Sequence, residues 1–240
     1  MYIKNLVEMH CHILPGVDDG SQDVETSLKM IERLKQQGAK KIVLTPHYYS
    51  NEISLDDFLK CRDKAFEKLT AALPEDSPKL YTAAEVYISD YLFNNDSLDR
   101  LRYGNSHYVL IEHPFSSSFS SKDFDRLTNL YCDFKIKPIL AHIERYKTLM
   151  DSKYALDDLL DMGCLTQVNI STFADAPHGT RKKLFKLLDA GKIHFIGSDS
   201  HNLTSRPPEY KEGAEMIIKK CGKEALETLI ANANYILSDD

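Results

Sequence analysis

Two histidines separated by a single residue, His10 and His12, lie near the start of the chain in the segment VEMHCHILPGVDDG (7–20). If the backbone is extended there, both imidazoles point to the same side, because alternate side chains of a strand share a face. Asp18 and Asp19 follow in the loop after them. Imidazole and carboxylate groups are common protein ligands of divalent metals, so this segment is the first candidate metal-binding element.

Further residues of the same types stand at or near the ends of predicted strands. The run KKIVLTP (40–46) is followed by His47, and the run VLIEHP (109–114) contains Glu112. In chain order, the additional candidates are His47, Glu85, Glu112, His142, Asp199 and His201. In a parallel α/β barrel the carboxyl ends of all strands meet at one rim, so these residues are expected to converge on one pocket.

A converging set of imidazoles and carboxylates would be unstable without cations, because buried like charges repel each other and lose their hydration. Divalent metal ions remove both costs. The two histidines and the six additional residues make eight candidate ligands, more than the four of one tetrahedral site. Two or three ions that share bridging carboxylates therefore fit better, and metal-assisted hydrolysis is the simplest chemistry for such a centre.

Each candidate taken alone also has a purely structural explanation. His47 could cap a helix or lie in a loop, and Asp18 with Asp19 before a glycine is typical of a turn. Glu85 or Glu112 could be a salt-bridge partner. The joint pattern favours metal binding, because five of the nine histidines follow predicted strands beside carboxylates. The other four histidines lack that arrangement and are interpreted as structural or solvent-facing: His107, His113, His178 and His194.

The chain alternates between short β-branched runs and longer segments with apolar residues at helical spacing, such as DVETSLKMIERLKQQG (23–38). About seven strands are predicted, nearly every one followed by a helix. At this length, the alternation favours one α/β domain over residues 1–240, built as a closed or nearly closed parallel barrel. The serine-rich stretch FSSSFSSKD (115–123) is interpreted as an active-site loop rather than a domain boundary.

Composition excludes several other classes of protein. The net charge of -6 disfavours a dedicated nucleic-acid binder, and the basic run RKKLFKLL (181–188) is interpreted as the solvated face of a helix. The absence of a long apolar run argues against a membrane span, and no signal peptide is recognisable, so a cytoplasmic location is expected. None of the five cysteines has arginine six residues later, which argues against a cysteine-dependent phosphatase. Cys11 is interpreted as a small buried filler.

The motifs HCH, TPHY, AEVYI, LIEHP, AHIERY and SDSHN, in this order, resemble the PHP (polymerase and histidinol phosphatase) superfamily. More narrowly, HCHILPGVDDG with TPHY and AHIERY resembles the bacterial tyrosine-protein phosphatases encoded with capsular and exopolysaccharide genes. The resemblance runs from residue 6 to about 235. It implies a distorted parallel (β/α)7 TIM-like barrel with a trinuclear metal centre.

The resemblance also implies a role for each site residue. The first metal would be held by His10, His12, Glu85 and Asp199; the second by Glu85, Glu112 and His142; the third by Asp19, His47 and His201. Asp19 is preferred to Asp18 because its position nine residues after His10 matches the family spacing. Arg145 and Arg206 match arginines that hold the substrate phosphate in the family. His201 or a metal-bound water could supply the proton to the leaving group.

The expected function is therefore a metal-dependent protein-tyrosine phosphatase in which a metal-activated hydroxide attacks the phosphoester. Two or three divalent ions (Mn, Fe or Zn, with Mn favoured) are the expected cofactors, and a phosphorylated bacterial tyrosine kinase is the expected partner. A small-molecule phosphatase acting on a substrate such as histidinol phosphate is the main alternative. A phosphodiesterase or exonuclease of the same superfamily, a non-catalytic regulator and an amidohydrolase are weaker ones. The sequence does not define the oligomeric state.

The chain departs from the family pattern at three places. Glu8 stands two residues before the first histidine, where the family usually has aspartate. The family's HPER is HIER here, and the strand end IEFP is IEHP. None of these changes removes a candidate ligand, so they bear on substrate preference and on the hydrogen bonds around the ligands rather than on activity.

Overall fold

The computed structural model describes residues 1–114, 119–152 and 154–238. Its strands all pair in parallel. In chain order, they are β1 (Leu6–Cys11), β2 (Ala39–Leu44), β3 (His47–Tyr48), β4 (Lys79–Thr82), β5 (Glu85–Tyr87), β6 (Tyr108–Glu112), β7 (Lys137–Leu140), β8 (Leu165–Asn169) and β9 (Phe195–Gly197). The predicted parallel α/β architecture is confirmed.

Helices connect most successive strands, as the periodicity predicts. They are α1 (Val24–Gln36), α2 (Leu55–Thr70), α3 (Ser121–Cys132), α4 (Lys147–Asp151), α5 (Ala155–Asp161), α6 (Thr172–Asp175), α7 (His178–Asp189), α8 (Lys211–Cys221) and α9 (Lys223–Ile236). The connection before β6 is less regular and contains two short 3-10 helices, Asp90–Asn94 and Asp99–Leu101. Within the described residues, no helix combines the length and the apolar character that crossing a bilayer requires.

The strands form a three-stranded sheet in the order β1-β2-β4 and a six-stranded sheet in the order β3-β5-β6-β7-β8-β9. A parallel bridge between Cys11 and Ser200 joins β1 to the segment after β9, so the sheet as a whole is curled. Among the described residues nine strands are present where about seven were predicted. Two of the predicted strands are interrupted, one at Thr45-Pro46 and one at Ala83-Ala84.

The interruptions are local irregularities of the hydrogen-bond ladder. Proline has no N–H to donate, so a regular strand cannot continue through Pro46. Hydrogen bonds nevertheless cross the break, because Ala83 N donates to Leu44 O (2.9 Å) and Glu85 N donates to Pro46 O (3.0 Å). The sheet direction is therefore kept, and β3 and β5 continue toward the same edge as β2 and β4.

Two further predictions concern individual segments. The basic run RKKLFKLL lies in α7, whose buried residues are Leu184 and Leu188, so its interpretation as the solvated face of an amphipathic helix is confirmed. Of the stretch FSSSFSSKD, residues 115–118 lie outside the described residues, and its last three residues begin α3.

The hydrophobic core has two parts, one on each face of the strands. In β2, for example, Ile42 and Leu44 belong to the larger cluster, whereas Val43 belongs to the smaller one. Successive strand residues point to opposite faces, so a strand apolar on both faces is buried on both. Every residue of β1 is buried, which places the first histidine of the sequence motif inside the protein rather than on its surface.

Gly38 fixes the turn between α1 and β2. Its φ is +105°, and a Cβ at this position would lie 2.2 Å from Ile3 O. Both the left-handed backbone and the close approach require glycine there. The turn brings Ile3 N to Gln37 O (2.8 Å), which aligns β1 beside β2.

We therefore expect Gly38→Ala to lower the free energy of unfolding by at least about 2 kcal/mol, because left-handed strain alone costs about 1–2 kcal/mol and the clash adds to it. Chemical denaturation measures this effect. Gly191→Ala is the matched control, since Gly191 also has a positive φ (+69°) but nothing lies within 4 Å of its added Cβ. Equal losses in the two variants would contradict the importance of the contact with Ile3.

Candidate metal centre

The candidate ligands lie where the parallel strands end. His10 is in β1, His12 follows it, His47 opens β3 and Glu85 opens β5. The remaining candidates close or follow later strands: Glu112 ends β6, His142 comes two residues after β7, and Asp199 and His201 come after β9. The structure thus brings residues from at least six strands to one edge of the sheet, and all but His47 and Asp19 are buried.

Glu85 lies at the centre of this group. Three imidazole nitrogens approach its Oε2 atom, His10 Nε2 and His12 Nε2 at 3.2 Å each and His47 Nδ1 at 3.1 Å. Among the described residues, Oε2 has no hydrogen-bond partner. The other oxygen, Oε1, lies 2.8 Å from His142 Nε2. One buried carboxylate therefore faces four imidazoles.

These separations fit a common cation. Ligands about 2.1 Å from one metal ion lie about 3.0–3.4 Å apart in tetrahedral or octahedral geometry. His10 Nε2 and His12 Nε2 are 3.2 Å apart, and both are 3.2 Å from Glu85 Oε2. Asp199 Oδ1 lies slightly further away, 3.6 Å from His10 Nε2 and 3.5 Å from His12 Nε2. The donor set and the orphaned oxygen both suit a divalent metal.

A second group shares Glu85. Glu112 lies 3.8 Å from His47 Nδ1 through Oε2 and 3.8 Å from His142 Nε2 through Oε1. His47, Glu85 and Glu112 offer ligand atoms that all lie within 4.8 Å of one another. Glu85 is thus placed between two groups of donors, as a bridging carboxylate would be.

A third group forms around the loop aspartate. His12, Asp19, His47 and His201 offer ligand atoms within 4.8 Å of one another. Asp19 Oδ1 lies 3.4 Å from His201 Nε2 and 3.7 Å from His47 Nε2. The Asp19 side chain is 67% exposed, so this group opens to solvent, unlike the groups around Glu85.

Asp18 has a different role from Asp19, because it binds Nδ1 of His12, the ring nitrogen that faces away from Glu85. Its Oδ2 accepts hydrogen bonds from His12 Nδ1 (2.7 Å) and His47 N (3.0 Å), and its Oδ1 accepts one from Gly20 N (2.9 Å). Burial raises the pKa of Asp18, but the His12 interaction outweighs it and holds the pKa at about 2. Ionised Asp18 can only accept, so His12 carries a proton on Nδ1, and Nε2 is the ring nitrogen left to bind a metal beside Glu85.

His201 is oriented in the same way by the backbone. Its Nδ1 lies 3.0 Å from Asp199 O, and a carbonyl oxygen can only accept, so the Nδ1 proton is fixed. The Nε2 lone pair then faces Asp19, and within the described chain Nε2 has no hydrogen-bond partner. Burial and the nearby His12 lower the pKa of His201 to about 4, which favours the neutral form that ligates metals.

The carboxylates show why the group needs a cation. Burial raises the pKa of Glu85, but His10, His12 and His142 hold it well below its usual range. Burial and the charge of Glu85 together raise the pKa of Glu112 to about 8. Two carboxylates this close cannot both ionise at neutral pH without positive charge between them. A divalent ion supplies that charge.

Arg145 and Arg206, the expected phosphate-binding residues, both contact Asp199. Arg145 Nη2 lies 2.6 Å from Asp199 Oδ2, and Arg206 Nη2 lies 2.8 Å from Asp199 Oδ1. Both guanidinium groups are more than a third exposed and border a cavity of about 450 Å³ that reaches Asp199 and is also lined by Arg33. The two cations therefore stand between the buried ligand group and an open cavity of substrate size.

Sequence reasoning connected Glu8 with the hydrogen bonds around the candidate ligands but missed two amides on β8. Glu8 Oε1 accepts hydrogen bonds from His10 N, Ser198 N and Tyr210 Oη, and thereby ties β1 to the segment after β9. The missed amides, Gln167 and Asn169, contact His10, His142 and Asp199. Cys11 is buried, and its Sγ lies 3.3 Å from Val43 O, in agreement with its expected filler role.

Comparison with known proteins agrees with this geometry. A family model described as Capsular polysaccharide synthesis, CpsB/CapC matches residues 6–238. The chain belongs to the CpsB/CapC family. The tyrosine-protein phosphatase CpsB of Streptococcus agalactiae serotype III (strain NEM316) is 31% identical over 98% of this chain and 99% of its own length. The tyrosine-protein phosphatase YwqE of Bacillus subtilis (strain 168) is 29% identical over 97% of this chain and 91% of its own.

Solved structures support the fold of this CpsB/CapC family member. A chain from the crystal structures of YwqE from Bacillus subtilis and CpsB from Streptococcus pneumoniae, described as unique metal-dependent tyrosine phosphatases, superposes with a TM-score of 0.83. The two chains are 24% identical, and the match covers 97% of this chain and 94% of the other. A phosphotriesterase homology protein from Escherichia coli has a TM-score of 0.57 at 12% identity, covering 97% of this chain and 98% of its own.

The three contacts of Asp18 generate a test of the His12 orientation. We expect Asp18→Asn to weaken zinc binding about 10–100-fold, because one amide oxygen cannot replace a carboxylate that accepts three hydrogen bonds. Chelator competition measures the zinc affinity. Asp161→Asn, at the end of α5, is the control for loss of an acidic side chain and should bind zinc like the parent protein. Unchanged zinc affinity in Asp18→Asn would contradict the role of this carboxylate.

Proposed function

We propose that this protein is a metal-dependent phosphomonoester hydrolase that acts on phosphotyrosine. The observation that carries the proposal is the approach of His10, His12 and His47 to one orphaned oxygen of Glu85, beside two arginines that border an open cavity. The relatives named tyrosine-protein phosphatase, which match almost the whole chain, support the phosphotyrosine substrate.

We assign the metal ligands as three groups, of which the first two share Glu85. The first comprises His10, His12, Glu85 and Asp199; the second Glu85, Glu112 and His142; the third Asp19, His47 and His201. The distances within each group support this assignment, and the number of donors supports two or three ions. Mixed nitrogen and oxygen ligands suit Mn, Fe or Zn, and we favour Mn.

When bound, divalent ions in this centre supply an activated water and positive charge against the phosphoryl oxygens. The protein's part is to orient the donors. Asp18 and the Asp199 carbonyl hold the Nδ1 protons of His12 and His201, so both rings present Nε2. Since Nε2 of His201 faces Asp19, we assign His201 to ligation rather than to proton donation.

Arg145 and Arg206 would bind the phosphate at the mouth of the centre. Guanidinium groups form paired charge-assisted hydrogen bonds with phosphate oxygens, and both groups here already lie within 3 Å of Asp199, at the inner end of the cavity. A phosphate that enters the cavity would therefore contact the arginines and lie beside the metal ligands.

A phenol leaving group suits a centre without an assigned proton donor. Tyrosine has a pKa of about 10, so its phenolate leaves with less need for protonation than an alkoxide. This chemistry favours phosphotyrosine over esters of aliphatic alcohols, such as histidinol phosphate.

The proposal extends to the partner, the location and the architecture. We propose a phosphorylated bacterial tyrosine kinase as the substrate, in the cytoplasm, and the family description of capsular polysaccharide synthesis supports the link to that process. We further propose that β2 with β3 and β4 with β5 each count as one interrupted strand. Residues 1–240 would then form a single domain with a distorted seven-stranded barrel.

Removal of metal tests the hydrolytic function. We expect a strong chelator to abolish turnover of both p-nitrophenyl phosphate and a phosphotyrosine peptide, and Mn²⁺ to restore it. His10→Ala and Asp199→Ala should lower turnover at least about 10³-fold and also lower the metal content, because each removes a ligand. Metal analysis and steady-state kinetics on the same samples measure both effects.

Substrate competition separates the alternatives. Phosphotyrosine peptide, histidinol phosphate and a single-stranded nucleic acid are compared by kcat/KM in the metal-loaded protein. Preference for histidinol phosphate would replace the proposal with a small-molecule phosphatase, and preference for nucleic acid with a phosphodiesterase. No turnover of any of them at full metal loading would indicate a non-catalytic regulator.

The arginines give a second test. We expect Arg145→Ala and Arg206→Ala each to lower kcat/KM for p-nitrophenyl phosphate about 10²–10³-fold, because each loses charge-assisted hydrogen bonds to the transferring phosphoryl group. Arg33→Ala is the matched control. Arg33 lines the same cavity but pairs with Glu209 (2.9 Å), so its loss should change kcat/KM less than about threefold. Similar losses in all three variants would indicate a general charge effect instead.

A further inference from the structure

The amide of Gln167 on β8 has an orientation that the backbone fixes. His142 N donates to Gln167 Oε1 at 2.7 Å, and a backbone N–H can only donate, so the atom that faces it is the amide oxygen. The same oxygen lies 3.2 Å from His10 Nδ1. Because Oε1 can only accept, the proton of neutral His10 is on Nδ1. The Nε2 lone pair of His10 is therefore the one that faces Glu85.

The nitrogen of the same amide fixes the orientation of Asn169, whose side chain lies on the same face of β8 as that of Gln167. Gln167 Nε2 donates to Asn169 Oδ1 at 3.0 Å, so Asn169 presents its own nitrogen on the other side. That nitrogen donates to Asp199 Oδ2 at 2.9 Å. Oδ2 of Asp199 is thereby turned toward Asn169, and Oδ1, which also pairs with Arg206, is the oxygen that faces His10 and His12. One backbone N–H thus helps to orient, through two amides, the His10 ring and the Asp199 carboxylate.

Both ends of this chain of hydrogen bonds lie at strained residues. His142 has φ +32° and Asp199 has φ +52°, left-handed conformations that cost a residue other than glycine about 1–3 kcal/mol. Such conformations persist only where the surroundings hold them. Gln167 binds the backbone of His142, and Asn169 binds the side chain of Asp199.

The packing around Gln167 leaves its amide little freedom. Gln167 is fully buried, and Asn169 is 5% exposed. On the neighbouring strand, a Cβ at Gly197 would lie 2.6 Å from His10 Cβ and 3.1 Å from Gln167 Nε2. Gly197 thus lets β9 pass directly against this pair of side chains, which keeps the amide in its place.

We propose that Gln167 and Asn169 are positioning residues that set, as a directional pair of amides, the donor atoms of His10 and Asp199. The inference rests on the proposed metal centre but not on the identity of the substrate. Neither residue would ligate metal, and Gln167 lies away from the cavity that Asn169 borders. Gln167 holds the His10 ring in the tautomer protonated at Nδ1, and Asn169 holds the Asp199 carboxylate so that Oδ1 faces the centre. Hydrogen-bonded partners of metal ligands commonly act in this way.

The first experiment uses the parent protein, loaded with diamagnetic Zn²⁺ and labelled with ¹⁵N in histidine. Long-range ¹H–¹⁵N correlation spectra report which ring nitrogen carries the proton, and a His10→Ala sample assigns the His10 signals by their loss. We expect His10 to be protonated at Nδ1. Protonation at Nε2 would overturn the proposal, whatever the variants below do.

The second experiment measures zinc affinity by chelator competition in variants of β8. We expect Gln167→Leu, which keeps the approximate volume and removes the amide, to bind zinc about 10–100-fold more weakly. Gln167→Glu keeps the acceptor for His10 and His142 but loses the donor to Asn169 Oδ1, so it should retain the Nδ1 proton of His10 and recover only part of the zinc affinity. Equal zinc affinity in the parent and Gln167→Leu would contradict the proposal.

Thr166→Val is the matched control. Thr166 precedes Gln167 on β8, is buried, and donates to Lys192 O (2.6 Å), away from the metal ligands. This variant loses a buried hydrogen bond on the same strand and should keep parental zinc affinity. A loss equal to that of Gln167→Leu would indicate a merely structural effect and overturn the proposal.

Phosphatase assays on the same samples distinguish this inference from the proposed function. Zinc binding with His10 protonated at Nδ1, but without phosphotyrosine turnover, would support the amide pair and refute the substrate. Phosphotyrosine turnover with His10 protonated at Nε2 would support the substrate and refute the role of the amide pair.

Discussion

A carboxylate buried among imidazoles is the constraint on which the site depends. Glu85 is 1% exposed, and one of its oxygens has no hydrogen-bond partner among the described residues. Burial of an unpaired charge costs several kcal/mol, so the fold tolerates this group only with positive charge beside it. The pKa of Glu112 is raised to about 8 for a related reason, because burial and the nearby charge of Glu85 both disfavour its ionised form. Divalent cations between the two carboxylates would let both ionise.

The sequence predicts those parts of the site that follow from a rule about strands. Parallel strands share a carboxyl edge, so His47, Glu112 and His201 could be placed together although they are far apart in the chain. The preference for Asp19 over Asp18 came from spacing in a family, and the structure provides its physical reason. Asp19 faces the imidazole nitrogens His47 Nε2 and His201 Nε2, whereas Asp18 binds His12 Nδ1 from behind.

Other features could not be predicted because they depend on neighbours in space. Gln167 and Asn169 are not typical metal ligands, and nothing in LTQVNIST distinguishes them from ordinary buried amides until His142 N is seen to lie against one oxygen. The second strand was predicted to run through Pro46, so neither its interruption there nor the hydrogen bonds that continue across the break were predicted. The contact of both arginines with Asp199 likewise requires two separate segments to meet, the one after β7 that holds Arg145 and the one after β9 that holds Asp199 and Arg206.

Asp199 links the inner and outer halves of the site. Asn169 on β8 binds its Oδ2, and the two arginines at the cavity contact both of its oxygens. Its backbone is also fixed, because Asp199 N donates to His10 O (2.7 Å). A residue held from so many directions can keep a left-handed backbone and still aim one oxygen at His10 and His12. The same contacts link the two arginines to the candidate metal ligands. Both groups contact the Asp199 carboxylate, so displacement of that carboxylate would disturb both.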